Sequence, residues 1–175
     1  MKLVPTELPG VMVVEAEPVG DERGLFARVY DADAFAAAGL PTDWPQCNLS
    51  WNPVRHTLRG MHFQTGEAAE PKLVRCTRGR VFDVAVDLRP ASPGFRRWVG
   101  VELDADRRNA LYVPPGCAHG FLTLTQEAEV LYMMGARYRP EAASGVRWND
   151  PAFAIAWPAA PALIGPRDAS WPDFG

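Results

Sequence analysis

The chain has 175 residues, 47% of them hydrophobic and 22% charged, with a formal net charge of −3. That size and balance fit a single globular domain spanning residues 1–175 and exclude a disordered chain. A mildly acidic chain without a basic run makes a poor partner for nucleic acid or anionic lipid, and no window reaches the roughly 18 apolar residues of a membrane span.

Seventeen prolines and fifteen glycines punctuate the chain into short segments. In chain order, strands are expected at Val11–Val14 and Leu25–Tyr30. A helix follows at Asp31–Ala38, opened by acidic residues, continued by alanines and stopped at Gly39. Further strands are expected at Leu58–Gln64, Lys72–Cys76, Val81–Leu88, Arg97–Leu103, Ala110–Val113, Gly120–Thr125 and Val130–Met134. The clearest is Val81–Leu88, where Phe82, Val84, Val86 and Leu88 point one way and Asp83, Ala85 and Asp87 the other. Many short strands with turns between them predict an all-β sandwich or barrel, closed or double-layered.

Cys47, Cys76 and Cys117 are scattered and odd in number, with no CxxC. They form no disulfide framework, fit a reducing cytoplasm, and read as small buried hydrophobes. The opening Met1-Lys2-Leu3-Val4-Pro5 lacks the apolar stretch and cleavage site of a secretory leader.

Three histidines carry most of the chemical interest. His56 lies in a polar turn and reads as a solvated loop residue. Strict alternation puts Leu58, Gly60, His62 and Gln64 on one face, with Arg59 facing away unless Gly60 marks a bulge that re-aims it. His119 opens a strand and shares its face with Phe121 and Thr123. Two histidines with Arg59, Lys72 and several tyrosines at such positions favour a lined cavity over a solvated face. The histidines are far apart in sequence and form no HxH pair, so a metal site is not favoured. GxSxG, GxGxxG and the P-loop pattern are all absent. General acid–base chemistry remains, needing only well-placed His, Tyr, Lys and carboxylate groups. Asp83 stands open as an orienting carboxylate, and Asp87 with Arg89 reads as a structural ion pair.

Seven strings occur in one order: Asp21-Glu22-Arg23-Gly24, Leu58-Arg59-Gly60-Met61-His62-Phe63-Gln64, Lys72-Leu73-Val74-Arg75, Val81 through Arg89, Val113 through Phe121, Val130-Leu131-Tyr132 and Trp148-Asn149-Asp150-Pro151. Together they resemble the dTDP-4-dehydrorhamnose 3,5-epimerase family, over about Pro5 to Asp168. The resemblance implies a cupin-type jelly-roll barrel and homodimers that exchange strands. It implies a nucleotide-diphospho-4-keto-6-deoxysugar substrate, epimerised at C3 and C5 through an enolate without metal or cofactor. His62 is then the general base, Asp168 its orienting group and Tyr132 the proton donor on the opposite face of the sugar. Lys72 stabilises the enolate oxygen, and Arg59 and His119 complete the polar wall. Arg23, Gln46 and Asn48 match nucleotide-contact positions, with Tyr138 and Phe26 as stacking surfaces. Arg28 and Ala143 stand where the family often carries Glu. The alternatives are a C3-only epimerase, a metal-dependent barrel using His62, His119 and a carboxylate, and a non-catalytic nucleotide-sugar-binding barrel.

Overall fold

The computed structural model describes Met1–Gly175. Its strands are β1 (Lys2–Pro5), β2 (Met12–Glu15), β3 (Val19–Asp21), β4 (Gly24–Phe26), β5 (Gln46–Asn52), β6 (Thr57–Gln64) and β7 (Lys72–Arg78). They continue as β8 (Arg80–Asp87), β9 (Trp98–Asp104), β10 (Ala110–Val113), β11 (Cys117–Thr123), β12 (Ala128–Met134), β13 (Ala143–Gly145) and β14 (Leu163–Ile164). Two short helices complete the chain, α1 (Ala32–Ala37) and α2 (Pro166–Ala169). No helix is long and apolar enough to cross a membrane.

The strands form two sheets, ordered β1-β2-β10-β7-β12-β5 and β13-β6-β11-β8-β9, with β14 joined parallel to β6 and the β3–β4 hairpin standing apart. The two-sheet arrangement is that of a cupin-like jelly roll, the all-β double layer that the strand pattern predicts and the fold that the family resemblance implies. Alternation in β8 fills two cores at once. Val81 and Ala85 join the main core with Val74, Leu103, Leu111, Phe121 and Val130. Phe82, Val84 and Val86 face outward, against Met61, Val146, Phe153 and Trp157 from the chain's last third. Phe35 of α1 is fully buried, packing edge-on against Tyr30, Trp44 and Tyr112 to cover the outside of the first sheet. Asp31 caps α1 by accepting the Ala34 N–H at 3.1 Å, and Gly39 leaves it at a positive φ, as the sequence anticipates.

The expected strand Leu25–Tyr30 is corrected: extended pairing ends at Phe26, because Tyr30 belongs to the cluster under α1. On β6 strict alternation gives way to the bulge at Gly60 that the sequence allowed for. The register between β6 and β11 shifts between His119/His62 and Phe121/Arg59. Gly60 and Gly120 meet at this shift, where a Cβ on Gly60 would lie 2.5 Å from Gly120 Cα. The displaced pleat turns Met61 outward and brings Arg59, not Leu58, onto the face of His62 and Gln64.

Candidate active site

One cavity of about 290 Å³ opens between the sheets at the β5–β12 end, near the lower size limit of small-molecule sites. β6 and β11 present Arg59, His62, Gln64 and His119 to it from one sheet, and β5, β7 and β12 present Asn48, Ser50, Lys72 and Tyr132 from the other. Tyr138, Ala143 and Arg167 line its rim.

Each cavity histidine is backed by its own carboxylate. His62 Nε2 lies 2.6 Å from Asp168 Oδ1, while Asp168 Oδ2 accepts the Gly60 N–H at 3.0 Å. Asp168 arrives from the chain's far end because β14 runs parallel beside Thr57 and Leu58, aiming α2 at the middle of β6. Burial works to raise the Asp168 carboxyl, but hydrogen bonding and charge from His62, with the Gly60 N–H, outweigh it and hold the group below its ordinary value. His119 Nε2 lies 2.9 Å from Asp83 Oδ1, so Asp83, the other candidate for an orienting carboxylate, backs His119 and not His62. Asp83 is fully buried, its Oδ2 has no partner, and burial raises its carboxyl.

Tyr132 packs edge-on to His119, ring centroids 6.0 Å apart. Burial first, and the Asp83 charge second, push its phenol well above the ordinary tyrosine value. Lys72 is buried beside Glu70; burial lowers its ammonium and Glu70 opposes that. Arg59 Nε donates to Asn52 Oδ1 at 2.7 Å, fixing the guanidinium at the cavity wall.

Of the residues expected at the site, His62, Lys72, Tyr132, Asn48, Arg59, His119 and Tyr138 line this cavity, and Asp168 stands behind His62. Gln46 is one step removed, accepting the Tyr138 N–H. Arg23 and Phe26 are not brought to it. They lie on the exposed β3–β4 hairpin, where Arg23 pairs with Asp21 and Phe26 is 74% exposed. Asp87 and Arg89 form the expected ion pair at 2.7 Å, away from the cavity. Sequence reasoning missed Glu70, Ser50, Asn52 and Arg167, none of which sits in a telling pattern; Glu70 alone carried a signal, an acid two residues before a lysine.

The jelly roll thus holds carboxylate-backed histidines on one wall of the cavity and a buried tyrosine on the other, residue types able to give and take protons. The profile of the dTDP-4-dehydrorhamnose 3,5-epimerase family matches residues 5–175, and the chain belongs to that family. It is 46% identical to the dTDP-4-dehydrorhamnose 3,5-epimerase of Escherichia coli, over 96% of this chain and 91% of that protein. It is 41% identical to a dTDP-4-dehydrorhamnose 3-epimerase from Streptomyces niveus, over 96% and 81%. The crystal structure of the 3,5-epimerase from Elizabethkingia anophelis superposes with a TM-score of 0.95 at 38% identity, covering 99% of this chain and 96% of that one.

Proposed function

We propose that the chain, acting as one domain, epimerises a nucleotide-diphospho-4-keto-6-deoxysugar of the dTDP-4-dehydro-6-deoxyglucose type at C3 and C5. One observation carries the reading: His62 and Tyr132 project from opposite sheets into one cavity. A 4-keto group acidifies the protons on both flanking carbons. Inversion needs a base on one face of the ring and an acid on the other.

Asp168 accepts at His62 Nε2, which places the imidazole proton there and leaves Nδ1 with the lone pair as base. The anionic carboxylate then stabilises the imidazolium as it forms. Lys72 holds the enolate oxygen as charge develops. Tyr132 keeps its proton until the enolate collects it on the far face. Arg59 and His119 bound the ring, and Asn48, Gln46 and Tyr138 lead outward toward the nucleotide. The scheme uses no metal and no cofactor.

A homodimer belongs to the same proposal. Val19, Leu25 and Phe26 on the hairpin, and Leu49 and Trp51 on the unpaired edge of β5, are apolar and exposed. A strand-exchanged partner covers them and carries Arg23 and Phe26 to the neighbouring cavity. Three free cysteines, Cys47 exposed among them, support the cytoplasm as the compartment.

The test is incubation with dTDP-4-keto-6-deoxyglucose in deuterated water. Label at C3 and C5 with inversion at both is the expected result. Label at C3 alone gives the narrower activity named for the Streptomyces niveus relative, and no label at either carbon refutes the proposal.

A further inference from the structure

Lys72 and Glu70 form a deeply buried ion pair at the cavity, with side chains 7% and 3% exposed. Glu70 Oε1 accepts from Lys72 Nζ, and Oε2 accepts from Gln64 Nε2 at 2.6 Å. Gln64 is itself fixed, since its Nε2 also reaches Ala68 O at 3.0 Å and its Oε1 accepts the Arg139 N–H at 2.6 Å. The carboxylate therefore cannot swing away from the ammonium without breaking a bond to a side chain held at both ends.

A buried ammonium loses its hydration, at a penalty of several kcal/mol unless a counter-charge replaces it. The other titratable groups around Lys72 do not supply one. From β6 come Arg59, a cation, and His62, engaged with Asp168. From β11 come His119, engaged with Asp83, and Cys117, whose thiol burial pushes up to about 12. From β12 comes Tyr132, whose phenol is likewise held protonated, and the register partners of Lys72 on β10 and β12 are the apolar Val113 and Met134. Glu70 stands alone in this role.

We propose that Glu70 is a positioning residue for the reaction: its carboxylate, anchored by Gln64, keeps the Lys72 ammonium charged and aimed into the cavity. The inference rests on the proposed part of Lys72 as the cation that meets the enolate oxygen. It also predicts a pH range for that part. With Glu70 in place its charge opposes the lowering that burial imposes on the ammonium; without it, burial acts unopposed and the amine loses its proton earlier.

The sequence makes this measurable, because Lys2 and Lys72 are the only lysines. Protein labelled with 13Cε-lysine gives two resonances, and Lys72→Arg assigns them. In Glu70→Gln, which preserves shape, the Lys72 resonance is expected to titrate at least about one pH unit lower than in the wild type. The alkaline limb of its kcat profile moves down with it, while turnover on the acid side persists. Glu70→Asp keeps the charge and restores most of the titration. An unchanged Lys72 titration in Glu70→Gln overturns the inference, as does Glu70→Asp behaving like Glu70→Gln. Full turnover in Lys72→Met defeats instead the reading of Lys72 on which it rests, and leaves the titration to stand by itself.

Discussion

Replacing Asp168 with Asn removes one charge and one acceptor from the back of His62 while keeping the side chain's shape. The carboxylate now serves two donors, His62 Nε2 at 2.6 Å and Gly60 N–H at 3.0 Å. An amide has a single oxygen. The backbone N–H cannot become an acceptor, so the oxygen stays on Gly60 and the amide NH2 faces Nε2. That moves the imidazole proton to Nδ1, the nitrogen assigned to take the substrate proton. Loss of a charge-assisted hydrogen bond of about 1.5–3 kcal/mol accounts for roughly 10- to 150-fold in rate. The inverted tautomer extends this toward the ~10⁴-fold known for an orienting Asp→Asn change in serine proteases. Turnover in Asp168→Asn is therefore expected to fall about 10²- to 10⁴-fold with little change in KM, because Asp168 stands behind the cavity wall. A steady-state assay on the 4-keto sugar reads both constants, and a kcat within tenfold of wild type refutes the argument. The same variant has a signature in acid. Asp168 is held below its ordinary value of 3.8 in the folded chain, so its stabilisation is complete above 3.8 and disappears as pH falls through the lower folded value. The difference in Tm between wild type and Asp168→Asn should hold level from pH 7 to about pH 5 and shrink below pH 3.8; a difference that grows on acidification contradicts the sign.

His62→Ala should abolish both solvent exchange and inversion. Tyr132→Phe should still exchange substrate protons with deuterated water, yet return them to the original face with little inverted product, and normal inversion in that variant would sink its assignment as acid. Gly120→Ala places a Cβ 2.6 Å from Met61 Sδ and 2.7 Å from Arg59 O. Overpacking against a backbone oxygen should destabilise by about 3 kcal/mol, some 6–12 °C in Tm by differential scanning calorimetry. Phe35→Ala, on the far side of the first sheet, should lower stability by about 3–5 kcal/mol in urea titration and leave kcat of the folded protein unchanged.

The legible parts of the sequence were those where burial and pattern agree. β8 is buried on both faces and still alternates by residue type, so its apolar and polar sides were read correctly. β5 escapes the pattern because its inward residues are Asn48 and Ser50, which line the cavity, and Asn52, which holds Arg59, while Leu49 and Trp51 face out. That reverses the usual polarity of a half-buried strand. The three-residue pieces β3, β4 and β13 and the two-residue β14 are too short for periodicity to register. Gly60 signalled its bulge, but only the contact with Gly120 shows which way Arg59 turns. Asp168 stands in a proline-rich tail with no periodic pattern, and Pro166 opens a turn of helix there. What local sequence does not carry is the parallel pairing of β14 with β6, which decides where that helix points.

The His62–Asp168 bond spans 106 positions. A ribosome that has just delivered the histidine must add all of them before the partner exists, about 5–20 s of synthesis. Through that interval the strands are free to associate around an imidazole that has no carboxylate behind it. The emerging chain thus passes through its early stages without this contact, and the His62–Asp168 pair forms as a late event of maturation. The same arrangement runs in reverse under stress. A four-residue helix is the kind of element that opens locally at low free energy while the sheets persist. Partial denaturation should then erase turnover in advance of the structure, giving a population of intact barrels that are chemically silent and recover at the speed with which one short helix reseats.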